Sequence, residues 1–129
     1  MNKKNLAKQL DSIAANVARK GIYVVTKEND LFVVKEHVTG CVVIQDIPVR
    51  SLAEYLCNLK NKNKKPSINA ARDIKDLVML FFKYTTDIVF YKNTLKKTTD
   101  STKYFATEAR MLDTIARLAR TRRDLQRYR

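Results

Sequence analysis

Apolar positions change their period twice along this chain. Leu6, Leu10, Ile13, Ala14 and Val17 recur at helical spacing and predict an amphipathic helix over residues 3–20. Arg19 and Lys20 complement the negative end of its dipole, and Gly21 suits the left-handed residue that ends it. The pattern then shortens. Ile22-Tyr23-Val24-Val25, Leu31-Phe32-Val33-Val34 and Cys41-Val42-Val43-Ile44 are short β-branched or aromatic runs, separated by Glu28-Asn29-Asp30 and Val38-Thr39-Gly40. They predict a three-stranded antiparallel meander, because neither loop is long enough for a parallel crossover. So small a sheet needs a covered face, and the flanking helices are the natural cover.

Helical spacing returns after Pro48. Ser51-Leu52-Ala53-Glu54 matches a capping box, and Leu52, Tyr55, Leu56 and Leu59 form the apolar side of a helix over residues 51–60. Residues 1–60 thus read as an α-β-β-β-α head, and residues 61–67 as a polar, basic linker ending near Pro66. No Gly or Pro follows Pro66. Ile74, Leu77, Val78, Phe81, Phe82, Ile88 and Val89 predict a helix over 68–97, and the Thr98–Thr102 tract predicts a turn. A last helix to residue 127 carries Tyr104, Met111, Leu118 and Leu125 seven apart, supported by Phe105, Leu112, Ile115 and Ala119. Residues 68–129 are therefore expected to form an antiparallel helical hairpin, with one unbroken helix as the alternative. Glu108 and Arg122 fall where the second apolar seam position is expected, so the spacing favours packing on the preceding helix over a long symmetric zipper. The fold class is α+β.

Composition narrows the functions. The 129 residues suit one domain or one domain with an appendage, with 45% hydrophobic and 30% charged residues. No apolar run approaches membrane-spanning length, and no apolar core follows the basic start to make a secretion signal. Cys41 and Cys57 are read as reduced thiols filling small core sites in a cytosolic setting.

Catalytic equipment is sparse. His37 is the only histidine, four residues from Cys41 across a turn, which makes a Cys–His pair conceivable and an ordinary strand-end residue the simpler reading. One His and two Cys without CxxC spacing do not build a zinc site. Asp73 and Asp76, interleaved with Arg72 and Lys75, read as a solvated salt-bridged face. Gly21 and Gly40 cannot make a phosphate-cradling loop. The expectation is a non-enzymatic protein without metal or cofactor.

Charge is the informative feature: 26 Lys+Arg against 13 Asp+Glu, net +13. Lys60, Lys62, Lys64 and Lys65 cluster at the linker. Arg117, Arg120, Arg122, Arg123, Arg127 and Arg129 crowd the last 13 residues with the single acid Asp124. Guanidinium forks suit phosphates and carboxylates, so these ten side chains are the candidate polyanion or partner contacts. Tyr128 among them is suited to stacking on a base or a partner surface. The expected partners are other protein subunits of an assembly, with DNA or RNA as further candidates, no membrane, and a homo-oligomer compatible with the heptad spacing. The expected place is the host cytoplasm or a virion. A soluble, non-sequence-specific nucleic-acid-binding accessory protein is the alternative.

The element order of residues 3–60 resembles that of the double-stranded RNA-binding domain. The likeness ends at topology: Glu28-Asn29-Asp30 stands where that family has a Gly-Pro-x-His loop, and Val49-Arg50-Ser51-Leu52 where it has clustered lysines. Gly40-Cys41-Val42-Val43-Ile44-Gln45-Asp46-Ile47-Pro48, running into Ala53-Glu54-Tyr55-Leu56-Cys57-Asn58-Leu59-Lys60-Asn61, resembles small uncharacterised proteins of T4-like marine phages. Tyr91-Lys92-Asn93-Thr94-Leu95-Lys96-Lys97 and Glu108-Ala109-Arg110 are similar too. That resemblance implies a viral origin rather than an activity, and it carries over no functional residues.

Overall fold

The computed structural model describes residues 22–129, so the helix expected over 3–20 lies outside the described residues. The chain divides into two compact units, with the boundary in sequence between Pro66 and Ser67.

In the first unit, β1 (Tyr23–Glu28), β2 (Leu31–Glu36) and β3 (Val42–Ile47) form an antiparallel sheet in the order β1-β2-β3. The meander is as the β-branched and aromatic runs predict, but the strands run further than those runs. β1 and β2 pair without interruption from Tyr23↔Glu36 to Glu28↔Leu31, across a tight turn where Asn29 takes φ 56. β3 is irregular: its register on β2 shifts on both sides of Val34↔Ile44, and Asp46 takes φ 58. Such bulges bend a strand and sharpen its twist. Gly40 (φ 72) lies in the β2–β3 loop and donates its N–H to Glu36 O at 2.9 Å.

Helix α1 (Arg50–Asn61) packs across all three strands. Leu52, Ala53 and Cys57 are buried with Val33, Val34, Ile47 and Val49. The expected capping box does not form. The N-cap is Val49, without a side-chain cap, and Ser51 lies one residue inside the helix. Its hydroxyl is buried with no hydrogen-bond partner. The helix starts early because Val49 is itself a core residue, 5% exposed, so its burial sets the entry point. Asn61, expected in the linker, is the last residue of α1. Its side-chain amide accepts from Tyr23 N–H at 2.8 Å and donates to Tyr23 O at 3.1 Å. The outward-facing backbone of the edge strand is thus closed at one residue by a side chain that imitates a neighbouring strand.

The second unit is the hairpin: α2 (Ile68–Lys97) and α3 (Ser101–Gln126), packed against each other. Ser67 caps α2 by accepting from Ala70 N–H at 3.2 Å, and Asp100 caps α3 by accepting from Lys103 N–H at 3.1 Å. Asp100 breaks the rod because its carboxylate satisfies an orphan amide that a continuous helix would bond through its backbone.

The seam follows a full heptad. On α2, Ile74, Phe81 and Ile88 are buried, and Leu77, Tyr84 and Tyr91, each three residues further on, are half-buried. On α3, Leu125 is fully buried, and Met111 and Leu118 are half-buried. The second seam position is not where Glu108 and Arg122 stand. It is three residues after the first, at Thr107, Thr114, Thr121 and Tyr128. Thr114 and Thr121 are buried, and their hydroxyls donate to Arg110 O (2.9 Å) and Arg117 O (3.0 Å). A threonine satisfied by its own helix behaves as a small apolar residue toward its neighbour. Phe105, Leu112 and Ile115, expected to support the seam, are exposed.

Candidate polyanion-docking surface

Two contacts fix how α3 lies along α2: the Tyr128 hydroxyl donates to the Asp73 carboxylate, and the Arg122 guanidinium sits 5.8 Å from the centre of the Phe81 ring. Arg117 and Tyr84 line one groove between the same helices. Continuing that register places Phe81 against Thr121 and Ile88 against Thr114, so large side chains on α2 face small ones on α3. Asp73, read from sequence as part of a solvated face, is a tie between the two helices.

Packing of the seam decides where the cations of α3 go. Lys103, Arg110, Arg117, Arg120 and Arg127 lie on one side of the helix, at alternating three- and four-residue steps that also take in Ala106, Asp113 and Asp124. All five are exposed. At about 1.5 Å per residue the stripe is roughly 36 Å long. It borders an open groove of about 460 Å³, lined by Leu77, Leu80 and Tyr84 on α2 and by Asp113, Arg117, Arg120 and Asp124 on α3.

The stripe is only partly neutralised from within. Arg117 Nε lies 3.0 Å from Asp113, and Arg127 is 3.6 Å from Asp124. Asp113, followed by the Tyr84 hydroxyl, pushes the Arg117 pKa above its already high ordinary value, so this guanidinium stays charged. Among the described residues no other ion pair forms, which leaves Lys103, Arg110 and Arg120 without a carboxylate partner.

Of the ten cations singled out from the sequence, three, Arg117, Arg120 and Arg127, lie on this stripe of α3. Arg122 stacks on Phe81, Arg123 is exposed off the stripe, and Arg129 Nε is 3.5 Å from Gln126 O. Lys60, Lys62, Lys64 and Lys65 belong to the first unit, where Lys60 Nζ sits 5.6 Å over the Tyr23 ring and the other three are exposed. Lys103 and Arg110 are the site residues that sequence reading missed. The signal was the seven-residue step from Lys103 through Arg110 to Arg117, which the dense C-terminal arginines outweighed.

Elsewhere, His37 and Cys41 are both exposed, so Cys41 is not the core residue expected of it. Cys57 is buried. Its thiol donates to Tyr23 O at 3.2 Å, and burial pushes its pKa up, with Asn61 opposing and Glu54 adding. It is therefore a protonated packing group at neutral pH. Among the described residues no cluster of three or more His, Cys, Asp or Glu is placed to hold a metal ion, and no helix is long and apolar enough to cross a membrane. No family model, curated protein or solved structure matches the chain.

Proposed function

We propose that this protein is a non-enzymatic assembly component of viral origin. It docks through the cationic side of its C-terminal hairpin on an acidic protein surface or on nucleic acid within a large complex such as a virion. One observation carries this reading. Lys103, Arg110 and Arg120 are exposed along a single side of α3 and have no carboxylate partner, on a rod held rigid by its own seam. Because the helix is already formed, its backbone loses no freedom when cations spaced at a regular pitch meet an extended anionic surface.

The alternative is a soluble, non-sequence-specific nucleic-acid-binding accessory protein. It is favoured by the length of the stripe, which is close to one turn of B-DNA, about 34 Å.

Salt dependence combined with sedimentation separates the two. Binding to a labelled DNA duplex is followed by fluorescence anisotropy between about 50 and 200 mM salt. A nucleic-acid binder shows a steep slope of log K on log salt, and the triple variant Arg110→Ala/Arg117→Ala/Arg120→Ala flattens it by about 0.9 per lost phosphate contact. An assembly component co-sediments with a large complex in extracts of its source, and the same variant is released from it. A chain that neither binds duplex nor leaves the light fractions removes both readings.

A further inference from the structure

Helix α3 carries a second apolar stripe that its own hairpin does not cover. Phe105, Leu112 and Ile115 are 66%, 55% and 39% exposed. They recur at seven- and three-residue steps, and Ala109, Ala116 and Ala119 are exposed beside them. Small residues next to large ones let another helix approach closely. Extending the spacing both ways adds Glu108, Arg122 and Gln126, so the stripe reads Phe105, Glu108, Leu112, Ile115, Ala119, Arg122, Gln126.

This order is complementary to its own reverse. When two such helices lie antiparallel about a two-fold axis at Ile115, Leu112 of each faces Ala119 of the other. Glu108 of each then faces Arg122 of the other, and Phe105 faces Gln126. Large meets small and acid meets base, as a two-fold interface requires of a single patch. Glu108 is half-buried and has no ion-pair partner among the described residues. Arg122 lies over the Phe81 ring, 5.8 Å from its centre, and has no carboxylate either. A guanidinium placed over a ring keeps its N–H edge available for a carboxylate. The cations of the docking stripe lie on the other side of α3, so two copies joined here do not bring Arg117, Arg120 and Arg127 face to face.

From this complementarity we infer that the protein forms a two-fold homodimer through the Phe105–Gln126 face of α3, with Ile115 on the axis and reciprocal Glu108–Arg122 pairs. The inference does not depend on what the cationic stripe binds.

Analytical ultracentrifugation of the full chain tests it. The expected mass is twice the 15.0 kDa of one chain. Ile115→Lys puts two like charges on the axis and is expected to yield a monomer, with an unchanged far-UV circular dichroism spectrum because the position is outside the hairpin seam. Glu108→Arg alone and Arg122→Glu alone each weaken the dimer about tenfold, since each loses a pair and gains a repulsion twice over. The double variant Glu108→Arg/Arg122→Glu restores it. In a Cys41→Ser background, Ile115→Cys forms a disulfide-linked dimer under mild oxidation and Arg120→Cys does not. A chain that remains monomeric leaves this face to a different protein and overturns the inference. So does a dimer indifferent to Ile115→Lys, or a charge swap that fails to rescue.

Discussion

Tyr23 and Asn61 stand 38 residues apart and exchange two hydrogen bonds, whereas Thr114 and Thr121 each bond a carbonyl four residues back. The two units differ throughout in this way. The first is closed by contacts distant in sequence: a bulged third strand, a helix laid over the sheet, and an amide stapling the edge strand. The second is closed by a repeat in which the same seam position returns every seven residues. A repeat spreads stability over equivalent layers, while a stapled sheet concentrates polar satisfaction in a few groups without substitutes.

The largest expected effect is in the repeat. Phe81 is 7% exposed at the middle of the seam and faces a small threonine, so Phe81→Ala opens a void that the stiff helices cannot close. A loss of about 3–5 kcal/mol is expected, read by urea melting, with faster hydrogen exchange in α2 and α3. Next is Asn61→Ala in the stapled sheet. It leaves the Tyr23 N–H without a partner and the Tyr23 C=O with only the Cys57 thiol, and is expected to cost about 1–3 kcal/mol, with the Tyr23 amide exchanging faster. A loss below a few tenths of a kcal/mol would mean that water replaces the amide freely and that the staple is dispensable.

The smallest effect has an informative sign. A capping Ser51 would make Ser51→Ala cost about 1 kcal/mol. With the hydroxyl buried and unpartnered, the substitution is expected to leave stability unchanged or raise it. A clear destabilisation would restore the capping role.

The hairpin was the more legible half. Its helix limits follow from Pro66, from the absence of Gly and Pro beyond it, and from Asp100 within a helix-poor tract, whereas the Ser67 cap became visible only in the structure. Its second seam position was misplaced because a threonine counts as polar in a hydropathy pattern. Thr114 and Thr121 become apolar partners only once their hydroxyls turn back on α3. The same misplacement assigned Phe105, Leu112 and Ile115 to the interior, although they mark the outer stripe. In the head, short β-branched and aromatic runs between turn residues predicted the three strands. It could not supply the shifted β3 register or the Asn61 bridge, because both depend on where α1 comes to rest.

By itself the sequence determined the order of the elements among the described residues, the two long helices, the turn between them and the excess of cations, since these depend on local period, local capping and composition. Only the tertiary structure decided which side of α3 faces α2, and with it which arginines share a stripe, which are stacked or paired, and which apolar residues stay outside. The physical reason is that a helix with two apolar stripes has two possible inner faces. The choice between them rests on how α2 and α3 pack, not on the pattern of either helix alone.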